Sequence, residues 1–151
     1  MCNAMHKENY VVISNKPSVT EGIGYKLFTT GGTTLYGMVG HIKYSTDENG
    51  VVRWNPFEMH PVDRKTIRAQ GVNENEECGF CILPTEEEAL RLKRAWNSSF
   101  GSCDALVFKV RYRRAIAAHD ETNILAGLVF SIVLVQEFEL HEDEINRGWH
   151  F

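Results

Sequence analysis

The sequence predicts an α+β fold, with a bent, mainly antiparallel sheet of about six to eight strands and one principal helix over residues 85–97. Three features indicate this fold: short strand-like runs before residue 55, one capped amphipathic segment, and two long alternating segments near the end. A length of 151 residues with 43% hydrophobic residues fits one globular domain. We therefore expect a flexible tail over residues 1–9 and a single domain over residues 10–151.

The first 55 residues are typical of a meander of short antiparallel strands. The predicted strands are Tyr10–Ser14, Gly24–Thr30, Thr34–Val39, Ile42–Ser45 and Val51–Trp54. Gly31-Gly32 and Asn49-Gly50 supply the backbone freedom that tight turns between strands require. Residues 55–76 show no strand or helix pattern, and a loop of this length is usually functional or mobile.

The principal helix has a start signal and a buried stripe. A strand is predicted at Cys78–Leu83, and Thr85 with Glu88 then forms an S/T-x-x-E capping box. Apolar residues follow at helical spacing: Ala89, Leu92 and Trp96.

Two alternating segments complete the predicted sheet. Ala105–Arg113 alternates apolar with basic residues, and Leu128–Leu140 keeps most of its large apolar residues on one parity. Ala115–Ala126 is ambiguous, with a loop expected at His119-Asp120-Glu121. Because an extended strand of this length spans about 43 Å, we expect a bulge or bend within Leu128–Leu140.

The charge pattern excludes some functions. The formal net charge is −4; residues 76–151 carry eight basic and 13 acidic side chains, whereas residues 1–75 are nearly balanced. An acidic chain is not a general nucleic-acid coat protein. The N-terminus lacks the apolar region of a signal peptide, and the run Ile124–Val135 is too short to cross a bilayer. We therefore expect a cytoplasmic protein without a membrane partner.

The clearest candidate binding surface is a basic strand face. Lys109, Arg111 and Arg113 alternate along one strand, so their side chains stand about 6.6–7 Å apart on one face. These cations repel one another unless anions face them. Either Glu137 and Glu139 pair with them across strands, or the face contacts an acidic protein, a phosphate or a nucleic acid. Further residues could extend this surface: Arg53, Trp54, Arg64, Lys65 and Arg68.

Cys78 and Cys81 have the C-x-x-C spacing of a zinc or redox site. Zinc needs four ligands, and Cys103 with Cys2 or a histidine could complete them. In a strand, however, positions i and i+3 point to opposite faces, so we expect inert, reduced and buried thiols. The helix begins too late for a thioredoxin-type site.

The sequence contains no motif of a serine hydrolase, phosphate-binding loop or dinucleotide-binding strand. The six histidines show no metal-ligand spacing. His119 beside Asp120 is the best acid–base candidate, followed by His60. We assign no catalytic residue, no metal and no cofactor, and the residues favour a protein that is not an enzyme without deciding the question.

Three segments occur in the order seen in small uncharacterised domains of phage and prophage genomes. These are Gly24-Tyr25-Lys26, Gly79-Phe80 and Thr85-Glu86-Glu87-Glu88-Ala89. The sequence resembles this family over residues 24–140, and the resemblance implies no assigned activity. Cys81 stands where that pattern has a histidine.

A second resemblance is to the ADP-ribosyltransferase fold. Tyr44-Ser45-Thr46 and Glu137-Phe138-Glu139 are similar to its S-T strand and its E-x-E motif, with Lys26 in place of a first-strand arginine. This resemblance implies NAD as a bound cofactor. Tyr44 or Ser45 would position the nicotinamide, and Glu139 would stabilise the transition state.

The residues favour a small cytosolic binding or regulatory protein, of phage or mobile-element type, that contacts a protein or nucleoprotein partner. Its contact surface would be the basic strand face or the loop 55–76. The alternative is an NAD-using transferase, and the third hypothesis is a zinc-stabilised interaction module.

Overall fold

A computed structural model describes residues 10–12, 20–38, 43–54, 79–99, 104–123 and 128–151. Within these ranges it has seven strands, one main helix and one short helix, which confirms the α+β prediction. The strands are β1 (Tyr10–Val12), β2 (Gly22–Gly31), β3 (Thr34–Tyr36), β4 (Val52–Arg53), β5 (Phe80–Ile82), β6 (Leu106–Asn123) and β7 (Leu128–Leu140). The helices are α1 (Glu86–Ser99) and α2 (Glu142–Asn146). The predicted tail over residues 1–9 and the loop 55–76 lie outside the described residues.

All of these strands pair antiparallel, in the order β3-β2-β6-β7-β4, with β1 added to β6 and β5 added to β7. The longest ladder joins β6 to β7, from Val110↔Leu140 to Asn123↔Leu128. Leu83, just after β5, also bridges Tyr25 of β2 through two backbone hydrogen bonds of 2.8 Å. The segment of β5 thus contacts both β7 and β2, which bends the sheet and gives it an inner and an outer face.

The predicted turns are present, with small shifts. Gly31 pairs with Thr34, so Gly32 (φ 62°) and Thr33 form the first turn. At the second turn Asp47 accepts hydrogen bonds from the backbone of Asn49 (2.8 Å) and Val51 (3.0 Å). This Asx turn ends in Gly50, whose φ of 79° few other residues tolerate.

The strand predicted at Ile42–Ser45 is not found as such in the described residues. Lys43 makes one isolated bridge to Tyr36, and residues 44–47 are irregular. In this segment the Tyr44 ring packs into the aromatic cluster of the inner face.

The loop predicted at His119-Asp120-Glu121 is wrong. These residues continue β6 and pair with Ile132, Ser131 and Phe130 of β7. Local polarity suggested a loop, but the long apolar partner strand supplies a ladder that outweighs it.

The expected irregularity occurs, but in β6 instead of β7. Ala115 pairs with Val135 and Ala117 with Leu134, so Ile116 is an extra residue. Just before it, Arg114 has a φ of 55°.

The side chains of β7 consequently do not keep one face throughout. Leu134 packs with the outer cluster, whereas Phe138 and Leu140 pack with the inner cluster. The change falls at Gln136, beside Arg114, whose Nη2 donates to Gln136 Oε1 at 3.3 Å.

Helix α1 covers one end of the outer face. Thr85 Oγ1 accepts from the backbone of Glu88 at 3.2 Å, which confirms the predicted N-cap. The helix buries Ala89 and Leu92 against the outer cluster, with Trp96 packed at its edge. The other buried residues of this cluster lie in the strands or directly beside them: Leu27, Cys81, Leu83, Ala105, Phe130, Ile132 and Leu134.

The inner face is rich in aromatic rings. Its buried sheet residues are Phe28, Leu35, Val52, Ile82, Phe108, Val110, Ala115, Val135, Phe138 and Leu140. Trp149 and Phe151, which follow α2, pack against them together with Tyr44 and Phe80.

Two glycines permit the close approach of β5. A Cβ atom at Gly24 would overlap Ile82 Cγ2 and lie 3.0 Å from the carbonyl oxygen of Leu83. At Gly79 it would overlap the backbone carbonyl oxygen of Val135, an atom that cannot move aside without disturbing the ladder.

We predict that Gly79→Ala lowers the free energy of unfolding by about 1–3 kcal/mol, because the added methyl group overpacks β5 against β7. Urea denaturation followed by circular dichroism measures this change. The control Ser98→Ala, on an exposed position of α1, stays within about 0.5 kcal/mol of wild type. Equal stability of Gly79→Ala and wild type would contradict the described contact.

Candidate functional site

The outer face beyond α1 carries a set of charged side chains that we name the charged strip. Arg111 lies opposite Glu139 and Arg113 opposite Glu137, and Arg53 of β4 flanks Glu137 on the other side. Because their strand neighbours pack on the inner face, these side chains point outward. The strip consists of Asp47, Arg53, Lys109, Arg111, Arg113, Glu137, Glu139, Glu142 and Asp143.

Its centre is a continuous chain of ion pairs. Arg113 binds Glu139 (Nη2 to Oε1, 2.8 Å) and Glu137 (Nη1 to Oε2, 3.6 Å). Arg53 binds the other oxygen of Glu137 (Nε to Oε1, 3.1 Å) and Asp47 (Nη1 to Oδ2, 2.5 Å). The predicted cross-strand pairing is therefore confirmed for Arg113, with both glutamates.

Helix α2 supplies the partners of the other two cations. Arg111 binds Glu142 with two hydrogen bonds, Nε to Oε2 at 2.8 Å and Nη2 to Oε1 at 2.6 Å. Lys109 Nζ lies 3.4 Å from Asp143 Oδ2. The sequence reasoning missed these two carboxylates, although the acidic run directly after the last strand was a visible signal.

His141 places α2 above β6. Its backbone N–H donates to the carbonyl of Lys109 at 3.0 Å, and its Nδ1 accepts from the backbone of Asp143 at 3.1 Å. This cap starts the helix so that its first turn lies beside the cations of β6.

The strip is close to electrically balanced. Four cations face five carboxylates, each cation within 3.4 Å of at least one carboxylate oxygen. The hydrogen bonds from Arg111, with the backbone N–H of Glu142 itself, lower the pKa of Glu142 to about 2. The backbone N–H of Val51, followed by Arg53, likewise holds the pKa of Asp47 below its usual value.

Arg53 and Trp54, which the sequence suggested as extensions of the basic strand face, lie on different faces of the sheet. Arg53 lies in the strip, where it binds Asp47 and Glu137. Trp54 does not, because its ring lies 5.3 Å from the Phe80 ring, centroid to centroid, beside the inner cluster. Arg64, Lys65 and Arg68 lie outside the described residues.

The residues of the transferase resemblance are brought together only in part: Lys26 and Tyr44 both lie beside the Phe138 ring, but the two glutamates do not. The Tyr44 ring packs edge-on against Phe28 (5.8 Å) and Phe138 (5.6 Å) on the inner face, and burial raises its pKa. Glu137 and Glu139 flank Phe138 but point to the outer face, where arginines hold them. Ser45 is exposed in the irregular segment after Tyr44.

Of the cysteine and histidine candidates, Cys81 and the backbone of His119 fall within the described ranges. Cys81 is buried under α1, whereas Cys2, Cys78, Cys103 and His60 lie outside these ranges. Over the same ranges, no group of three metal-ligating side chains occurs, and no helix is long and apolar enough to cross a membrane.

Comparisons with known proteins add no family. No protein-family model matches the chain, and neither does any curated protein or solved structure. The resemblances to phage-type domains and to ADP-ribosyltransferases therefore stay predictions.

We predict that Arg111→Gln raises the pKa of Glu142 from about 2 towards its ordinary value of 4.5. Since the pKa is depressed only in the folded protein, the ion pair stabilises the fold above pH 4.5 and is lost as the pH falls towards 2. A ¹³C NMR titration of the side-chain carboxyl group measures this pKa.

Arg147→Gln is the matched control, because Arg147 binds Glu144 on the same helix at 3.1 Å. It leaves the titration of Glu142 unchanged. An ordinary Glu142 midpoint in the wild-type protein would show that the pair with Arg111 does not form in solution.

Proposed function

We propose that the chain is a non-enzymatic binding or regulatory protein, and that the charged strip contacts a partner protein. The observation that carries the proposal is the in-register network of ion pairs on the outer face. It presents a fixed alternation of charge to solvent, with the Arg111 and Glu142 side chains 38% and 59% exposed.

A network of this kind suits protein recognition. Ion pairs hold long side chains in place before binding, so less conformational freedom is lost on association. Alternating charges contribute specificity and association rate more than raw affinity, because a mismatched partner meets like charges. A regulatory protein that must select one partner needs both properties.

A nucleic-acid partner has less support. A phosphate would have to displace carboxylates that already hold each cation, and the strip has one more carboxylate than it has cations. A nucleoprotein would therefore be contacted through its protein part.

The NAD-using alternative also has less support than binding, because Tyr44 and the two glutamates lie on opposite faces of the sheet. Cytoplasmic location and a phage or mobile-element source remain part of the proposal. The family resemblance supports the phage or mobile-element source.

The test exchanges one ion pair of the strip, Arg111→Glu with Glu142→Arg. This variant keeps the net charge and the pairing but inverts the local pattern. We predict that the melting temperature stays within about 2 °C of wild type. We also predict that affinity for the physiological partner falls by about tenfold or more, because like charges now meet across the interface.

The matched control exchanges Glu87 and Arg94, which are both exposed on α1. Quantitative affinity capture from cells of the source organism compares the three proteins, followed by affinity measurement with the purified partner. One partner bound by the wild type and the control, and lost by the strip variant, supports the proposal. Equal binding of that partner by the strip variant would falsify it.

A further inference from the structure

Lys26 is a buried amine on the inner face of the sheet. Lys26 is only 4% exposed, and its side chain lies on the same face of β2 as that of Phe28. Nζ donates one hydrogen bond to the carbonyl of Cys81 at 3.1 Å and lies 5.9 Å from the centroid of the Phe138 ring. Neither the basic strand face nor the charged strip involves this residue.

No described carboxylate faces this amine. The segment before β4 contributes Tyr44, whose phenol stays neutral because burial raises its pKa. The inner face of β6 contributes Tyr112, β5 contributes the carbonyl and the thiol of Cys81, and β7 contributes Phe138. Glu137 and Glu139, the neighbours of Phe138, point to the outer face. Burial therefore lowers the pKa of Lys26, and the electrostatic effect of Cys81, which raises this pKa, is the smaller of the two.

The aromatic rings around the Lys26 amine are closely packed. The Phe80 and Phe138 rings lie 4.9 Å apart and the Phe28 and Phe151 rings 5.5 Å apart, centroid to centroid. These are contact distances for aromatic pairs, so this packing does not indicate a ligand site beside Nζ. A charged Lys26 can gain water only if part of the structure opens.

Among the described residues, the boundary around Lys26 with the fewest backbone pairings is the seam between β2 and β5, formed by Tyr25, Lys26, Cys81 and Leu83. One bridge closes it, with the two hydrogen bonds between Tyr25 and Leu83. The other boundaries are longer ladders: seven residue pairs join β2 to β6, and three join β5 to β7. Local opening therefore costs least at the seam.

We propose that Lys26 is a proton-controlled latch: as a neutral amine it holds the seam closed through the Cys81 carbonyl, and on protonation the seam opens so that the ammonium reaches water. The free energy gained from one hydrogen bond to a carbonyl is smaller than the free-energy cost of removing an ammonium ion from water. The device is independent of the charged strip.

Proton linkage determines whether a rise in pH closes or opens the seam. The amine binds its proton less tightly in the closed state than in the open state, whose pKa is close to that of a free lysine. Between the two pKa values the open state holds more protons, so raising the pH favours the closed state. Below the closed-state pKa both states are protonated and the pH no longer matters.

Native-state hydrogen exchange at the amides of Tyr25 and Leu83 tests the latch, because both amides donate across the seam. Protection factors, corrected for the intrinsic exchange rate, are measured from pH 6 to pH 9 in the wild type and in Lys26→Met. We expect wild-type protection to rise with pH, by up to about tenfold per pH unit. In Lys26→Met we expect the same amides to be protected equally at every pH.

The amides of Trp54 and His141 are internal references, since they donate outside the seam to Gln136 and Lys109. A rise shared equally by these references overturns the latch, because it would mean global unfolding. An unchanged pH dependence in Lys26→Met, or flat protection in the wild type, also overturns it.

A second measurement needs no variant. The ¹³Cε resonance of Lys26 titrates in the wild type with a midpoint below that of the other lysines. The pH at which seam protection stops falling on acidification should coincide with that midpoint. A Lys26 midpoint equal to that of an exposed lysine overturns the proposal.

Discussion

The register of the ladder between β6 and β7 is the constraint on which the rest of the structure depends. It places Arg113 opposite Glu137 and Tyr112 opposite Phe138, so charged residues face outward and aromatic residues inward. A slip of one residue would carry every side chain to the opposite face and bury the cations among the rings. The bulge at Ile116 and the positive φ of Arg114 lie between two parts of the outer face. On one side of them the outward-facing residues are charged, and on the other side they form the apolar surface under α1.

From this register the two faces acquire different roles. The inner face joins β2, β5, β6 and β7 around aromatic rings, and their burial helps to hold the sheet together. The outer face has an apolar end covered by α1 and a charged end that stays in contact with water. Exposed ion pairs contribute little to stability, so the proposed role of the charged strip is recognition and not support for the fold.

Much of this was accessible from the sequence because its signals are local. The capping box at Thr85, the alternation in Leu128–Leu140 and the turn at Asn49-Gly50 each depend on a few neighbouring residues. The remainder depends on tertiary structure. The continuation of β6 through His119 needs β7 as a partner, the acids of α2 reach Arg111 only after the chain reverses at His141, and Lys26 is buried by strands that lie far along the chain. Contacts between distant segments leave no periodic pattern in the sequence.

The most direct measurement of the register is disulfide cross-linking of paired cysteines, with the bonds located by mass spectrometry. Cysteines at Arg111 and Glu139 replace directly opposed residues, whose Cβ atoms stand about 4.5–5.5 Å apart in an antiparallel pair. Cysteines at Arg111 and Glu137 are diagonal neighbours, about 7–8 Å apart. The account predicts rapid oxidation of the first pair and little of the second. Preferential cross-linking between positions 111 and 137 would contradict the register and, with it, the separation of charged and aromatic faces.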